Sequence, residues 1–338
     1  MGAKAESRID YIDIAKALGI MLVIAGHVVS SNTEIKRVLY AFHMPLFFML
    51  SGMLLRVKSA YSADTWKTLI IKKLRALMLP YIIWALIYSS FSFKHVALAM
   101  YGTRETLIMA GSLTSLWFLP VMFLASMLAE LVLLVSTKVR KNETLAVVVG
   151  MAVCFWIGFI FPHHGTYGDL WGMDIAFIAT AFMLLGMLVC QEIGLIPKTI
   201  WKFAIAVGAC VVFVITVRLS SSSVGYVLMA NADYGNPVVF FINAVAGSVL
   251  VIMISCLIAV LMHRTRVLSW IGVRTLGIFV VHKPIIELGR TVVTKMGLSF
   301  DNPMMVVGIT MVTLAVSCVI VAVIEKVIPE IIGLKKYE

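Results

Sequence analysis

Residues Tyr11–Ser30 read YIDIAKALGIMLVIAGHVVS, a stretch of twenty residues. As a helix it would rise about 30 Å, the thickness of a bilayer's hydrocarbon core. It follows Lys4 and Arg8, yet it contains Asp13, Lys16 and His27 and shows no small-residue cleavage pattern. It therefore reads as a retained first span rather than a signal peptide. Nine more apolar windows follow, over Val38–Leu55, Ala76–Phe93, Leu116–Val135, Leu145–Phe161, Ile175–Cys190, Phe203–Leu219, Val238–Met262, Val267–Ile286 and Met304–Ile324. The fold expected is all-α, a polytopic membrane protein of about ten transmembrane helices forming a single domain over residues 1–338. Of the ten windows, the ninth is the weakest. It holds Arg274, His282 and Lys283 and would break or re-enter where those groups face protein or water.

Composition points the same way. Hydrophobic residues make up 61% of the chain and charged ones 13%, where a soluble domain carries about 25% charge. The formal charge of +11 would point a soluble protein toward nucleic acid. Here the basic residues lie in loops between apolar runs, so membrane lipid is the expected partner and nucleic acid is not. With the N-terminus inside, twenty of the twenty-eight Lys and Arg residues fall on the cytoplasmic side, which together with an even span count places both termini in the cytoplasm. The five cysteines, Cys154, Cys190, Cys210, Cys256 and Cys318, sit singly in apolar runs. They read as buried free thiols, with neither disulfides nor a structural metal site expected. His163-His164, adjacent in an external loop, lack the spacing of two ligands on one helix face. No fixed-period repeat or matched pair of interrupted halves marks the chain as a transporter.

Three ionisable groups in one span constitute a functional hypothesis by default. The step of eleven from Lys16 to His27 leaves them roughly 20° apart on the helix and about 16 Å apart along it, and Asp13 falls on the same side. The stripe puts Lys16 near the cytoplasmic mouth and His27 deeper. An imidazole there is suited to take a proton from a hydroxyl and return it to a leaving thiolate near neutral pH. Each group also has a purely structural reading. His27 would bond a backbone carbonyl between helices, and Lys16 would snorkel to the interface. His43, beside Pro45, would satisfy a carbonyl that the proline frees. Lys72, Lys73 and Arg75 would only orient the chain. Ser51-Gly52 reads as a small pair that lets helices approach closely.

At these residues the sequence resembles the acyltransferase 3 family of integral membrane O-acyltransferases, and within it the fucose 4-O-acetylase-like branch. Asp13-Ile14-Ala15-Lys16 followed after ten residues by His27 is similar to the family's basic-residue, ten-spacer, histidine motif, with Lys16 where many members carry arginine. Phe42-His43-Met44-Pro45-Leu46-Phe47-Phe48-Met49-Leu50-Ser51-Gly52 is similar to its strongest signature. Arg75 with Pro80-Tyr81, Trp117-Phe118-Leu119-Pro120, Asp174, and Leu276-Gly277-Ile278-Phe279-Val280-Val281-His282 continue the match in order.

The resemblance implies an O-acetyltransferase that moves an acyl group from cytoplasmic acyl-CoA, acetyl-CoA in the first place, to a hydroxyl of a carbohydrate or glycoconjugate acceptor in the cell envelope, with a bacterial cytoplasmic membrane as its location. It implies His27 as general base, with Lys16 on the donor side and Asp13 or another carboxylate supporting the ring. Arg75, Lys72 and Lys73 would meet the CoA phosphates, while His43, Asp174 and His282 would line the site. Direct transfer needs no metal, and a covalent acyl-histidine is its chemical alternative. The rival class is a multi-span transporter or flippase whose polar stripe lines a sugar or proton path.

The basic-residue asymmetry generates a topology test. Reporters fused after Glu338 and within Arg56–Arg75 should both read cytoplasm, and one within Ser220–Pro237 should read the opposite side. Finding the two basic sites on opposite faces would reject this orientation.

Overall fold

Helices account for nearly all of the computed structural model, which describes every residue except 1, 30–33, 103–105, 108–111, 140–141, 161–169, 194, 197, 221, 223, 263–264, 296–302 and 335–338. Among the described residues β pairing is limited to one bridge between Leu228 and Asp233. Seven described helices are long and apolar enough to cross a membrane, over Asp10–Val28, Leu113–Lys138, Glu143–Ile160, Leu170–Ile193, Thr199–Val217, Pro237–Leu261 and Pro303–Val327. They coincide with seven of the ten windows read from sequence, and the chain is a multi-pass helical membrane protein.

The other three windows are built from shorter pieces, and proline lies close to the break in two of them. Following the first helix α1 (Gly2–Val28), the second window becomes α2 (Glu34–Tyr40) and α3 (His43–Gly52). Pro45 has no N–H to offer the carbonyl four residues back, and the ladder restarts with Leu46 N donating to Phe42 O at 2.9 Å. Beyond α4 (Ala63–Lys73), the third window opens with a π turn, Leu74–Met78, before α5 (Leu79–Tyr88). Pro80 again removes a donor just downstream, and Leu79 N reaches back to Leu74 O. The ninth window is broken at Arg274 into α12 (Arg266–Val273) and α13 (Thr275–Lys295), which carries Pro284 inside it.

Between these come α6 (Phe93–Tyr101), α7 (Phe118–Lys138), α8 (Glu143–Ile160), α9 (Met173–Ile193), α10 (Thr199–Val217) and α11 (Pro237–Leu261), and α14 (Pro303–Val327) follows them. Contacts gather into two units. One comprises Met1–Leu50, Gln191–Met229 and Asp233–Ile324, and the other Ser51–Cys190, Ala230–Ala232 and Glu325–Glu338.

In the first unit α1 packs against α11, α12 and α13, and α10 lies along α11. Glycine makes the tightest of these contacts. A Cβ on Gly272 of α12 would stand 1.9 Å from the backbone oxygen of Asp13 in α1, so the two helices touch backbone to backbone. Gly247 of α11 likewise leaves room for the Phe42 ring. Lipid provides no hydrophobic drive between helices, so small residues and polar ties hold them together. Such a tie joins α10 to α11, where the Thr216 hydroxyl donates to Asn243 Oδ1 at 2.6 Å.

In the second unit α7 packs on α8, and the π turn contacts α4, α5 and α7. A Cβ on Gly52 would lie 1.8 Å from Met183 O, which bears out the close-approach reading of Ser51-Gly52. Trp84 Nε1 donates to Ile331 O at 2.9 Å, tying the C-terminal turn to α5. All five cysteines are free. Cys154, Cys190 and Cys256 are buried, Cys318 is half-buried, and Cys210 is exposed on α10, correcting the expectation of burial for that residue.

Gly272→Ala should therefore force α1 and α12 apart and cost about 1–3 kcal/mol, the usual range for overpacking. Gly208→Ala is the control, since nothing lies within 4 Å of its Cβ position and alanine is the better helix former. Thermal unfolding of purified protein in detergent should show a lower midpoint for the first variant alone. Equal midpoints would refute the backbone contact.

Candidate functional site

α1 ends one residue past His27, and the end of a helix leaves carbonyls without internal partners. Other helices supply them here. The Tyr40 hydroxyl donates to Gly26 O at 3.4 Å, and Arg290 Nη2 donates to His27 O at 2.7 Å. A cation at a helix C-terminus also complements the macrodipole. These two bonds fix the backbone that carries His27.

The half-buried His27 ring makes no hydrogen bond to a described residue. It stands against the ring of His282, with centroids 5.2 Å apart and planes tilted by 39°. His282, on α13, is 0% exposed. Its Nδ1 lies 2.6 Å from Phe279 O. A carbonyl only accepts, so Nδ1 carries the proton and, in the neutral ring, Nε2 presents a lone pair. That Nε2 is buried without a partner among the described residues. His43, also buried, uses its Nδ1 on Leu39 O at 2.7 Å, so one of its nitrogens takes the structural role of satisfying a carbonyl. Its ring meets Tyr40 edge-on at 4.8 Å. Lys36 sits 5.4 Å from the Tyr40 ring and 5.0 Å from that of Tyr226, and Arg37 Nε donates to Gly225 O at 3.0 Å. These contacts lash α2 to the segment following α10.

Asp13 and Lys16 pair with each other, Nζ to Oδ1 at 3.2 Å, across one turn of α1. Fourteen residues separate Asp13 from His27, about 21 Å along a helix. The structure thus joins the two members at one end of the stripe and keeps the Asp13 carboxylate away from the imidazole. The residue it brings to His27 is His282.

The other predicted residues lie in the second unit. Asp174 is buried in the first turn of α9. Arg75, in the π turn, and Lys72, at the end of α4, are exposed, whereas Lys73 is half-buried. Burial holds the Lys73 ammonium below the ordinary lysine range; Glu130 offsets part of this, and Lys72 and Lys58 add to it. Glu130, a residue that sequence reading passed over, is the buried counter-charge. It is 2% exposed on α7, with Lys58 Nζ at 3.1 Å from Oε1 and the Tyr61 hydroxyl donating to Oε2 at 3.0 Å. Burial, and then the Glu130 carboxylate, push the Tyr61 hydroxyl well above its usual range, so it remains a neutral donor. The signal was present in the sequence, because Glu130 is the one charge within the window Leu116–Val135. His163-His164 lie outside the described residues.

A family model described as an acyltransferase domain matches residues 9–322. The chain belongs to the acyltransferase 3 family. No curated protein and no solved structure matches it. Family membership makes this multi-pass protein a membrane acyltransferase and weighs against the transporter reading.

Within the acyltransferase, Glu130 holds two residues of the connection between α3 and α4. Glu130→Ala should strand Lys58 and Tyr61 and cost about 1–3 kcal/mol. In a double-mutant cycle, adding Lys58→Ala should cost less than its effect alone, because the pair is already broken. Additive losses in unfolding midpoints would show that the two side chains do not interact.

Proposed function

We propose that this acyltransferase is an O-acetyltransferase of the fucose 4-O-acetylase-like branch. It moves an acetyl group from cytoplasmic acetyl-CoA to a hydroxyl of a cell-envelope carbohydrate or related glycan, with His27 as the general base. The observation that carries the reading is the state of the His27 ring. Its backbone is tied from two sides, while its imidazole makes no hydrogen bond to a described residue and is only half-buried. His43 and His282 each spend one ring nitrogen on a backbone carbonyl, whereas His27 spends neither on a described residue.

The acceptor hydroxyl gives its proton to His27 as its oxygen attacks the thioester carbonyl carbon. The new C–O bond forms, the C–S bond breaks, and the imidazolium returns the proton to the departing CoA thiolate. Lys16, steadied by Asp13, serves the donor side. Arg75, Lys72 and Lys73 meet CoA phosphates through charge-assisted hydrogen bonds, and the exposure of Arg75 and Lys72 supports this role. His43 lines the site. Both termini face the cytoplasm, and a bacterial cytoplasmic membrane is the setting.

The test is label transferred from acetyl-CoA to cell envelope per unit of folded protein. His27→Ala should insert and accumulate normally, because a small apolar side chain is easily accommodated in a span. It should nevertheless lose transfer by about a hundred- to ten-thousand-fold. Lys16→Ala should impair transfer more than Lys16→Arg, and Arg75→Ala should raise the acetyl-CoA KM. Undiminished turnover in His27→Ala would remove His27 as the base.

A further inference from the structure

We propose that His282 reads a second hydroxyl of the acceptor, so that the enzyme selects an acceptor whose reacting hydroxyl belongs to a vicinal diol. This rests on the reading of His27 as base. The observation behind it is the lone pair on His282 Nε2. The side chain is 0% exposed, its other nitrogen is committed to Phe279 O, and Nε2 has no partner among the described residues. Native proteins rarely leave such an atom unused, and where they do a ligand or a chemical role commonly accounts for it.

A bare lone pair specifies the chemistry of its partner. It rejects carbonyls, carboxylates and ether oxygens, which only accept, and it takes an O–H or N–H. The ring against which it stands belongs to His27, which needs a hydroxyl of its own. Two imidazole acceptors in ring contact therefore call for two donors held close together. Hydroxyls on adjacent carbons of a sugar, in a gauche relation, meet this demand with their spacing preset, whereas a simple alcohol has only one donor. Binding the neighbouring hydroxyl at His282 would orient the reacting one toward His27, the kind of positioning that accelerates a bimolecular step. The Phe279 ring, with its centroid 5.7 Å from that of His282, helps hold the His282 plane. His282 is thus a specificity and positioning residue for the acceptor, with no part in binding the donor.

The experiment uses purified full-length protein, labelled acetyl-CoA, and envelope from the cells that make the protein. The envelope is offered either untreated or after periodate oxidation, which cleaves vicinal diols to aldehydes, and borohydride reduction of those aldehydes to alcohols. Wild-type transfer should fall at least about tenfold on the oxidised envelope. His282→Leu should lower kcat/KM for untreated envelope by about tenfold, the effect of losing one hydrogen bond. His282→Gln, which restores an acceptor oxygen, should recover most of it. CoA binding, followed by calorimetry, should be unchanged in both variants. Full transfer to oxidised envelope would overturn the diol reading, as would wild-type kinetics in His282→Leu. If the leucine variant fails to bind CoA because it is misfolded, His282→Gln decides, and an inactive His282→Gln that binds CoA normally counts against the proposal. His27→Ala separates the two levels. If it is inactive while transfer ignores periodate, only the role of His282 falls; if it is active, the base assignment falls.

Discussion

A helix that ends within a membrane protein must find partners for its last carbonyls, because lipid offers none. At the end of α1 that requirement recruits Tyr40 from α2 and Arg290 from α13. Meeting it does more than cap a helix. Arg290 draws α13 to α1, and the same helix carries His282 to the face of His27. Tyr40 brings α2, and with it come His43 on one side and Tyr226 on the other. The other half of α1 is fixed by the absence of a side chain at Gly272, which seats α12 on the backbone at Asp13. Position along α1 is thus set at both ends, and the polar residues of the stripe inherit it.

The two ends of the stripe have different chemistry for a physical reason. A lysine in a span needs a counter-ion or a route to water, and Asp13, one turn away, supplies the former at 3.2 Å. The pair is local and self-contained, so it makes no demand on the distant histidine. His27 consequently has no carboxylate from its own helix. Its neighbour is a second imidazole whose tautomer a backbone carbonyl decides. A pair of rings assembled this way relies on lone pairs and N–H groups rather than on buried negative charge, which is expensive to place in the interior of a span.

How much of this was legible in the sequence depended on whether the signal was local. Length and hydropathy are local, so seven long apolar windows form helices long and apolar enough to cross a membrane. The three that broke share another trait. Pro45 and Pro80 withdraw an N–H from the backbone ladder in two of them and the other is broken at Arg274, local features that an apolar average does not register. Helical spacing placed Asp13 and Lys16 correctly as neighbours, since the contact is one turn long. It said nothing of His282, which lies 255 residues from His27 and reaches it only through packing; the family-like segment ending at His282 marked the residue but not its partner. Glu130 was visible as a charge in an apolar window, yet its partners Lys58 and Tyr61 are about seventy residues away and come from a connecting segment.

The break in the third window shows how a local defect reshapes a basic cluster. A regular helix through Lys72–Pro80 would keep each basic side chain at a fixed 100° step. Pro80 cannot accept that ladder, and the π turn that results inserts additional backbone just where Arg75 sits. Arg75 is exposed on that turn. Lys73 is left half-buried, with Glu130 as the counter-charge that eases its desolvation. An arrangement meant only to orient the chain would need positive charge near the membrane surface and nothing more, since that rule counts charges without regard to their direction. A buried carboxylate that organises one lysine and eases another has a defined geometry that charge counting does not require.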